Sequence, residues 1–428
     1  MKAIVRLIPL SCALALMACN GTTEHTYFLE LENPSEIGLV DKPIRIKYEE
    51  IKAVLDKDKW PLLVFRSDTL EYQLNDLDQD GEWDELFVLD DFAPKQKKKV
   101  SILAVTKRPK FEIRTSIRFG KRDSGEQAVT SRNEDTFVAN EVPKALGYQP
   151  YQTDGPSWEN DKVGFRHYFD GRNAKDVFGK KMAKISPETV GLDKAGAVED
   201  NYHVMEPWGR DILAVGNSVG LGGYGLMVND SLLRLGITVN DTLNNIERTH
   251  FKILEEGPVY SALKYQFHNW EAMDRNYTVD EISSIWPGTY AFKNEVTFKN
   301  LQGDEVMGIG LPNSNTDKPI QQLNSNGKFV ILYTHDLQTY DKTWWLGMAL
   351  ILPKNAFIGT TRAPGEGNFS NSFIAKMKVA NETPISYYAV AGWELSDVRF
   401  RDENEFKEYT IQLADQLGVE IKHEIIKE

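Results

Sequence analysis

The feature that most narrows the fold of this chain is its two-residue hydrophobic period, broken every few residues by turn formers. Short β-type runs at 27–31, 43–48, 62–66, 86–89 and 100–105 are separated by Gly, Pro, Asn and Asp, the spacing of a small antiparallel sandwich over 27–106. Residues 107–140 are polar and charged, with one further strand expected at 111–117, and read as a connecting region. From 141 to 428 the β pattern resumes, for example at 163–169, 260–267, 289–298, 328–333, 344–352 and 387–393. Only 403–417 has a helical period, with Phe406, Ile411, Leu413 and Leu417 beside charged positions. Strands without βα alternation exclude Rossmann and TIM architectures, so the expectation is an all-β chain: a small sandwich followed by a large multi-stranded one.

The first residues belong to targeting rather than to the fold. Lys2 and Arg6 precede an apolar run over 7–17, too short for a finished membrane helix, which ends at Leu16-Met17-Ala18-Cys19. This pattern predicts a lipoprotein signal peptide over 1–18, lipidation of Cys19 and a polar tether over 19–26. The expected address is the cell envelope, anchored by lipid in the outer membrane. The only other cysteine, Cys12, leaves with the signal, so the mature chain has no disulfide, thiolate nucleophile or cysteine metal ligand. A net charge of −13 repels nucleic acid, which is therefore not an expected partner. Nine Trp and seventeen Tyr supply flat faces of the kind that pack β-cores or line sugar sites.

Two motifs need a physical reading before they are believed. In Asp76-Leu77-Asp78-Gln79-Asp80-Gly81-Glu82-Trp83-Asp84-Glu85, alternate carboxylates and a central glycine suit a hard, oxygen-seeking cation. Position twelve is Phe87 and strands flank the turn, so the expectation is a β-hairpin loop with Asp76, Asp78, Asp80 and Asp84 as ligands of a structural calcium, Glu85 in reserve. A solvated acidic turn is the plain alternative. The run Val215-Gly-Asn-Ser-Val-Gly-Leu-Gly-Gly-Tyr-Gly225 contains Gly-x-Ser-x-Gly and Gly-x-Gly-x-x-Gly, but a strand and turn follow it. A nucleophile elbow and a dinucleotide loop both require a helix there, so a close-packed glycine hairpin is the better account.

The densest polar chemistry lies at 155–180 and 202–211. Alternation places Arg166 and Tyr168 on one face of a strand and His167 and Phe169 on the other. A turn at Asp170-Gly171 then presents Arg172 and Asn173. Arginines fork a carboxylate or sulfate, and aromatics such as Trp158 stack on a sugar ring. In Tyr202-His-Val-Met-Glu-Pro-Trp-Gly-Arg-Asp211, His203 beside Trp208 and Arg210 is the best general acid/base candidate, and His335 trails it. No two of the seven histidines stand at ligand spacing on one element, which argues against zinc.

The runs 155–180 and 208–223, together with the acidic turn 76–85, resemble a bacterial lipoprotein family catalogued as a domain of unknown function and common in polysaccharide degraders. The resemblance covers nearly the whole mature chain. It implies a small β-sandwich joined to a galactose-mutarotase-like supersandwich. One branch looks like an oligosaccharide dehydratase of ulvan breakdown, which would make an anionic oligosaccharide the substrate and place an unsaturated glucuronyl hydrolase downstream.

That chemistry removes the C5 proton of a non-reducing-end glucuronate and expels O4 as water, with no cofactor required for the reaction. Arg166, Arg172 and Asn173 are the expected grip on the carboxylate, His203 the base, Tyr168 the acid and Trp208 a stacking platform. These roles are read from residue chemistry. Two rivals stand beside them: a glycan-binding lipoprotein without catalysis, and a glycoside hydrolase or other lyase on the same scaffold. The hydrolase would use two carboxylates from Glu159, Asp161 and Glu206.

Overall fold

The computed structural model describes residues 26–125, 127–144, 148–325 and 327–428. The expected signal peptide, Cys19 and nearly all of the expected tether lie outside the described residues. The chain is all-β, with a small sandwich beside a large supersandwich. The small unit packs a five-stranded antiparallel sheet against a three-stranded one, Leu39–Lys47, Glu85–Phe92 and Glu71–Asn75. Alternate residues fill its core, among them Leu29, Leu31, Ile44, Ile46, Leu63, Leu86, Val88 and Val100. The two-residue period of a strand puts every second side chain there.

Two domain boundaries differ from the sequence expectation. The last strand, Lys422–Lys427, returns to the small unit and pairs with Tyr27–Glu32. The region 107–140 is no linker: Thr115–Arg118 pairs with Ser157–Asn160, and Glu134–Val138 with Ile246–Glu256, both in sheets of the large unit. Thr115–Arg118 is mostly buried, whereas in Glu134–Val138 Phe137 alone is buried.

The large unit contains a nine-stranded antiparallel sheet and two five-stranded sheets. One five-stranded sheet carries the candidate site, in the order Gly209–Asp211, Lys175–Lys180, Val163–His167, Ser157–Asn160, Thr115–Arg118. Its three central strands are buried along their whole length, so polar side chains on them must find partners within the protein.

The helix expected at 403–417 is Glu403–Gly418, capped by the Asp402 side chain accepting from Asn404 N and Glu405 N. Its Phe406 ring lies so close to Gly347 and Gly392 that a Cβ at either would fall 2.5 and 2.9 Å from it. The glycine-rich run is a hairpin as expected: Tyr224–Val228, a turn with Asn229 and Asp230 at φ 46° and 65°, then Ser231–Arg234. Gly220 is required there, because a Cβ would sit 1.8 Å from the Lys175 carbonyl oxygen. Ser218 is fully buried and donates to the Val215 carbonyl at 2.6 Å, which removes it as a nucleophile.

Candidate active site

The site is organised around one buried guanidinium. Arg166 and Asp176 face each other across the pairing of Val163–His167 with Lys175–Lys180, so register alone brings their charges together. The next strand, Gly209–Asp211, adds a second carboxylate. Arg166 Nη2 donates to Asp176, to Asp211 Oδ2 at 2.7 Å and to the Tyr168 hydroxyl at 2.5 Å, and Asp154 lies 3.6 Å from Nη1. Tyr168 in turn donates to Asp176 Oδ2 at 2.7 Å. Its ring lies close to two guanidiniums, with Arg166 Cζ 4.2 Å and Arg172 Cζ 4.0 Å from its centroid.

Burial, and then the neighbouring Asp176 charge, raise the Asp211 carboxyl well above the usual carboxylate range. Arg166 bridges the two carboxylates, and Asp211 is the member of the pair that most readily takes up a proton. Burial also raises the Tyr168 phenol, which stays protonated.

His203 ends the short turn Asn201–His203, and its side chain is 46% exposed. Its Nδ1 lies 3.5 Å from Asp211 Oδ2, a separation typical of catalytic contacts before substrate draws them together. Partial burial, then the Arg166 charge, lower its pKa, so the imidazole is neutral at pH 7. In the tautomer that carries its proton on Nδ1, facing Asp211, Nε2 offers a lone pair for proton abstraction. Arg210 frames the same edge, with Nη1 3.3 Å from Asp341 and Cζ 5.6 Å from the Trp344 ring centroid.

Four of the expected site residues therefore converge: Arg166, Tyr168, His203 and Arg172, with Arg210 beside them. The role given to Arg166 changes. It is fully buried and already serves two carboxylates and a phenol, so it cannot also fork a substrate acid. Arg172 is held by Asp170 at 2.6 Å and by the Gly216 carbonyl at 3.1 Å.

Other expectations are corrected by packing. Trp158 is fully enclosed between Phe165 and Phe292 and touches no solvent. Trp208 packs edge-on against Phe178 in a buried cluster with Tyr202, so it presents no open face. Asn173 secures the turn, meeting His167 Nε2 at 3.1 Å and donating to the Leu235 carbonyl. His335 is buried on another strand, bonded to the Phe400 carbonyl at 2.8 Å and stacked on Trp345. The carboxylates considered for hydrolysis are also dispersed: Glu159 is buried with Arg118, Lys180 and Ser186, and Asp161 pairs with Arg114.

Sequence reasoning missed Asp176 and Asp211. A ten-residue separation across a two-strand hairpin, from Arg166 to Asp176, was the available signal. Nothing local ties Asp211 to either.

The acidic turn joins Glu71–Asn75 to Glu85–Phe92, with Gly81 at φ 95°. Asp76, Asp78 and Asp84 bring carboxylate oxygens within 4.8 Å of one another, a donor set that fits a hard cation such as calcium. Asp80 is outside this group and caps Glu82 N, while Glu85 is held by Arg45 and Asn75. The turn also docks on the large unit, through Gln79 to the Leu254 carbonyl and Asp76 N to Glu255.

A protein from Formosa agariphila, uncharacterized protein P7, is 22% identical over 290 residues, covering 64% of this chain and 68% of its own. Two solved structures from Enterococcus faecalis match 93% of this chain at 9% identity with a TM-score of 0.46: a protein in glycosyl hydrolase family 38 and an alpha-mannosidase. The chain spans 47% and 46% of their lengths, about half of each. The family model described as Domain of unknown function (DUF4861) matches residues 31–422, and the chain belongs to that family.

Proposed function

We propose that this protein is a carbohydrate-active hydro-lyase, an envelope lipoprotein that eliminates water from a non-reducing-end uronic acid of an anionic oligosaccharide, as in ulvan breakdown, to leave a 4,5-unsaturated uronate. The observation that carries the reading is the chain of polar contacts from His203 through Asp211 and Asp176 to Tyr168, wrapped around Arg166. It links a neutral base to a protonated acid, the two groups an elimination needs.

In this mechanism His203 Nε2 takes the C5 proton. The C5–H electron pair becomes the C4–C5 double bond, the C4–O4 bond breaks, and O4 takes the Tyr168 proton and leaves as water. The imidazolium returns its Nδ1 proton to Asp211, and a proton passed on from Asp211 through Asp176 restores the phenol. Arg166 stabilises this relay without touching substrate. Arg172 and Arg210, each held by one carboxylate at the edge of the site, exchange that partner for the uronate and neutralise the charge that builds on C6. Such donors are commonly worth about 3–4 kcal/mol each in the transition state.

The test is incubation with a glucuronate-terminated oligosaccharide while following the ultraviolet absorbance of the conjugated enoate. Tyr168→Phe and His203→Gln should each lower the rate by about 10²–10⁴-fold while substrate still binds. New reducing ends with no ultraviolet change make the protein a hydrolase, and binding without turnover makes it a capture protein; either result overturns the proposal.

A further inference from the structure

A cleft, remote in sequence from the site above, lies where the small sandwich meets residues 106–114 and the large unit. Its volume is about 430 Å³, within the range of small-molecule sites. Trp60, Tyr72, Arg108, Lys110, Phe111 and Glu256 are among the residues that line it. Arg108 Cζ sits 4.8 Å from the Trp60 ring centroid, and Phe111 meets Tyr72 edge-on at 5.1 Å.

The cations of this cleft differ from those of the catalytic cluster. Arg166, Arg172 and Arg210 are each bound by carboxylates. Arg108 and Lys110 form no ion pair among the described residues. The acid that shares the cleft is occupied, since Glu256 Oε1 accepts from Ser116 Oγ and Ile117 N. In a chain of net charge −13, two unpaired cations in one aromatic-walled recess form a local positive site.

An independent observation points to a ligand. Tyr72 is only 3% exposed, and its hydroxyl has no hydrogen-bond partner among the described residues. A buried phenol left without a partner is destabilising unless something accepts its proton. Lining the same recess, it is placed to donate to an oxygen that enters beside Arg108.

We propose that this cleft is a non-catalytic binding site for an acidic oligosaccharide, with Arg108 and Lys110 meeting a carboxylate or sulfate, Tyr72 donating to a sugar oxygen, and Trp60 and Phe111 packing against the ring faces. The ligand class rests on the carbohydrate reading above; the geometry of the cleft does not. A site of this kind would hold a long chain while its end is processed elsewhere, raising the effective concentration of that end.

Calorimetric titration of the full-length protein with hyaluronan tetrasaccharide, in a His203→Gln background, removes turnover, and any binding at the catalytic site is then a constant contribution against which the cleft variants are compared. Arg108→Gln with Lys110→Gln should weaken binding at this site at least tenfold, and added salt should do the same to the parent. Chitotetraose, which lacks the acids, should bind at least tenfold more weakly. Trp60→Ala should lose affinity that Trp60→Phe restores. Tyr72→Phe guards against misfolding: it should raise the melting temperature of the free protein while lowering affinity several-fold. Unchanged affinity in the double variant, or equal binding of the neutral sugar, overturns the proposal. Failure of the parent protein, with His203 in place, to form any enoate product while these affinities hold overturns only the catalytic reading.

Discussion

His203 Nδ1 lies 3.5 Å from Asp211 Oδ2, a half-exposed imidazole backed by a carboxyl whose pKa burial and Asp176 raise. This contact joins the outer edge of the site to its buried interior, and the behaviour of the site with pH follows from it. His203 has its pKa lowered by burial and by Arg166, so it loses its proton below the ordinary imidazole value of about 6.5. The acidic limb of the pH–rate profile should therefore fall below pH ~6.5. A limb above that value would remove His203 as the base. Asp211→Asn should reduce turnover with little change in KM, because the relay to Tyr168 is cut.

Arg166 should behave as a keystone of stability. Replacing it with Gln leaves Asp176, Asp211 and the Tyr168 hydroxyl buried without a cation, and removing one partner of a buried ion pair costs about 3–5 kcal/mol. Urea unfolding checks this. Adding Asp176→Asn to Arg166→Gln should recover part of the loss, and an additive double variant would show that the two do not interact.

Acid should weaken the fold through a different histidine. His167 is fully buried between Lys175, Asn173 and the Tyr265 ring, and burial followed by the Lys175 charge lowers its pKa to about 3. The unfolded chain takes up this proton below about pH 6.5 and the folded chain does not, so stability falls as pH drops through that window. The loss reaches roughly 3 kcal/mol by pH 4. Scanning calorimetry from pH 7 to 4 should show the slope in the parent and lose most of it in His167→Gln. Glu281, whose pKa is lowered chiefly by Lys175 against its own burial, adds a loss only below the normal carboxylate range.

The acidic turn makes a prediction of its own. If Asp76, Asp78 and Asp84 hold calcium, the ion should raise the unfolding free energy by about 2.7 kcal/mol at a concentration ~100 times Kd. Asp84→Asn should abolish the effect and Asp80→Asn should not, because Asp80 lies outside the three whose oxygens come within 4.8 Å of one another. Equal melting temperatures with calcium and with chelator would falsify the site.

The all-β class, most strand positions and the single long helix were legible in the sequence because they rest on local period. The two-residue alternation that buries Leu29 and Leu31 is visible in the chain itself, as are Asp402 and Glu403 at the start of the helix. The pairing of Arg166 with Tyr168 was legible for the same reason, since residues two apart on a strand share a face. What could not be read was which side chains are enclosed. Trp158 and Trp208 look like sugar platforms until the packing of Phe165, Phe292 and Phe178 covers them.

By itself the sequence determined the periodic elements, the turn that gathers the carboxylates after Asn75 and the face shared by Arg166 and Tyr168, all set by backbone geometry over a few residues. Tertiary structure decided that Asp211 reaches Arg166 from 45 residues away, that strand Lys422–Lys427 closes the N-terminal sandwich, and that Arg166 is enclosed by carboxylates while Arg108 has no ion pair among the described residues. Charge partners and burial are properties of strands packed from distant parts of the chain, and no local pattern encodes them.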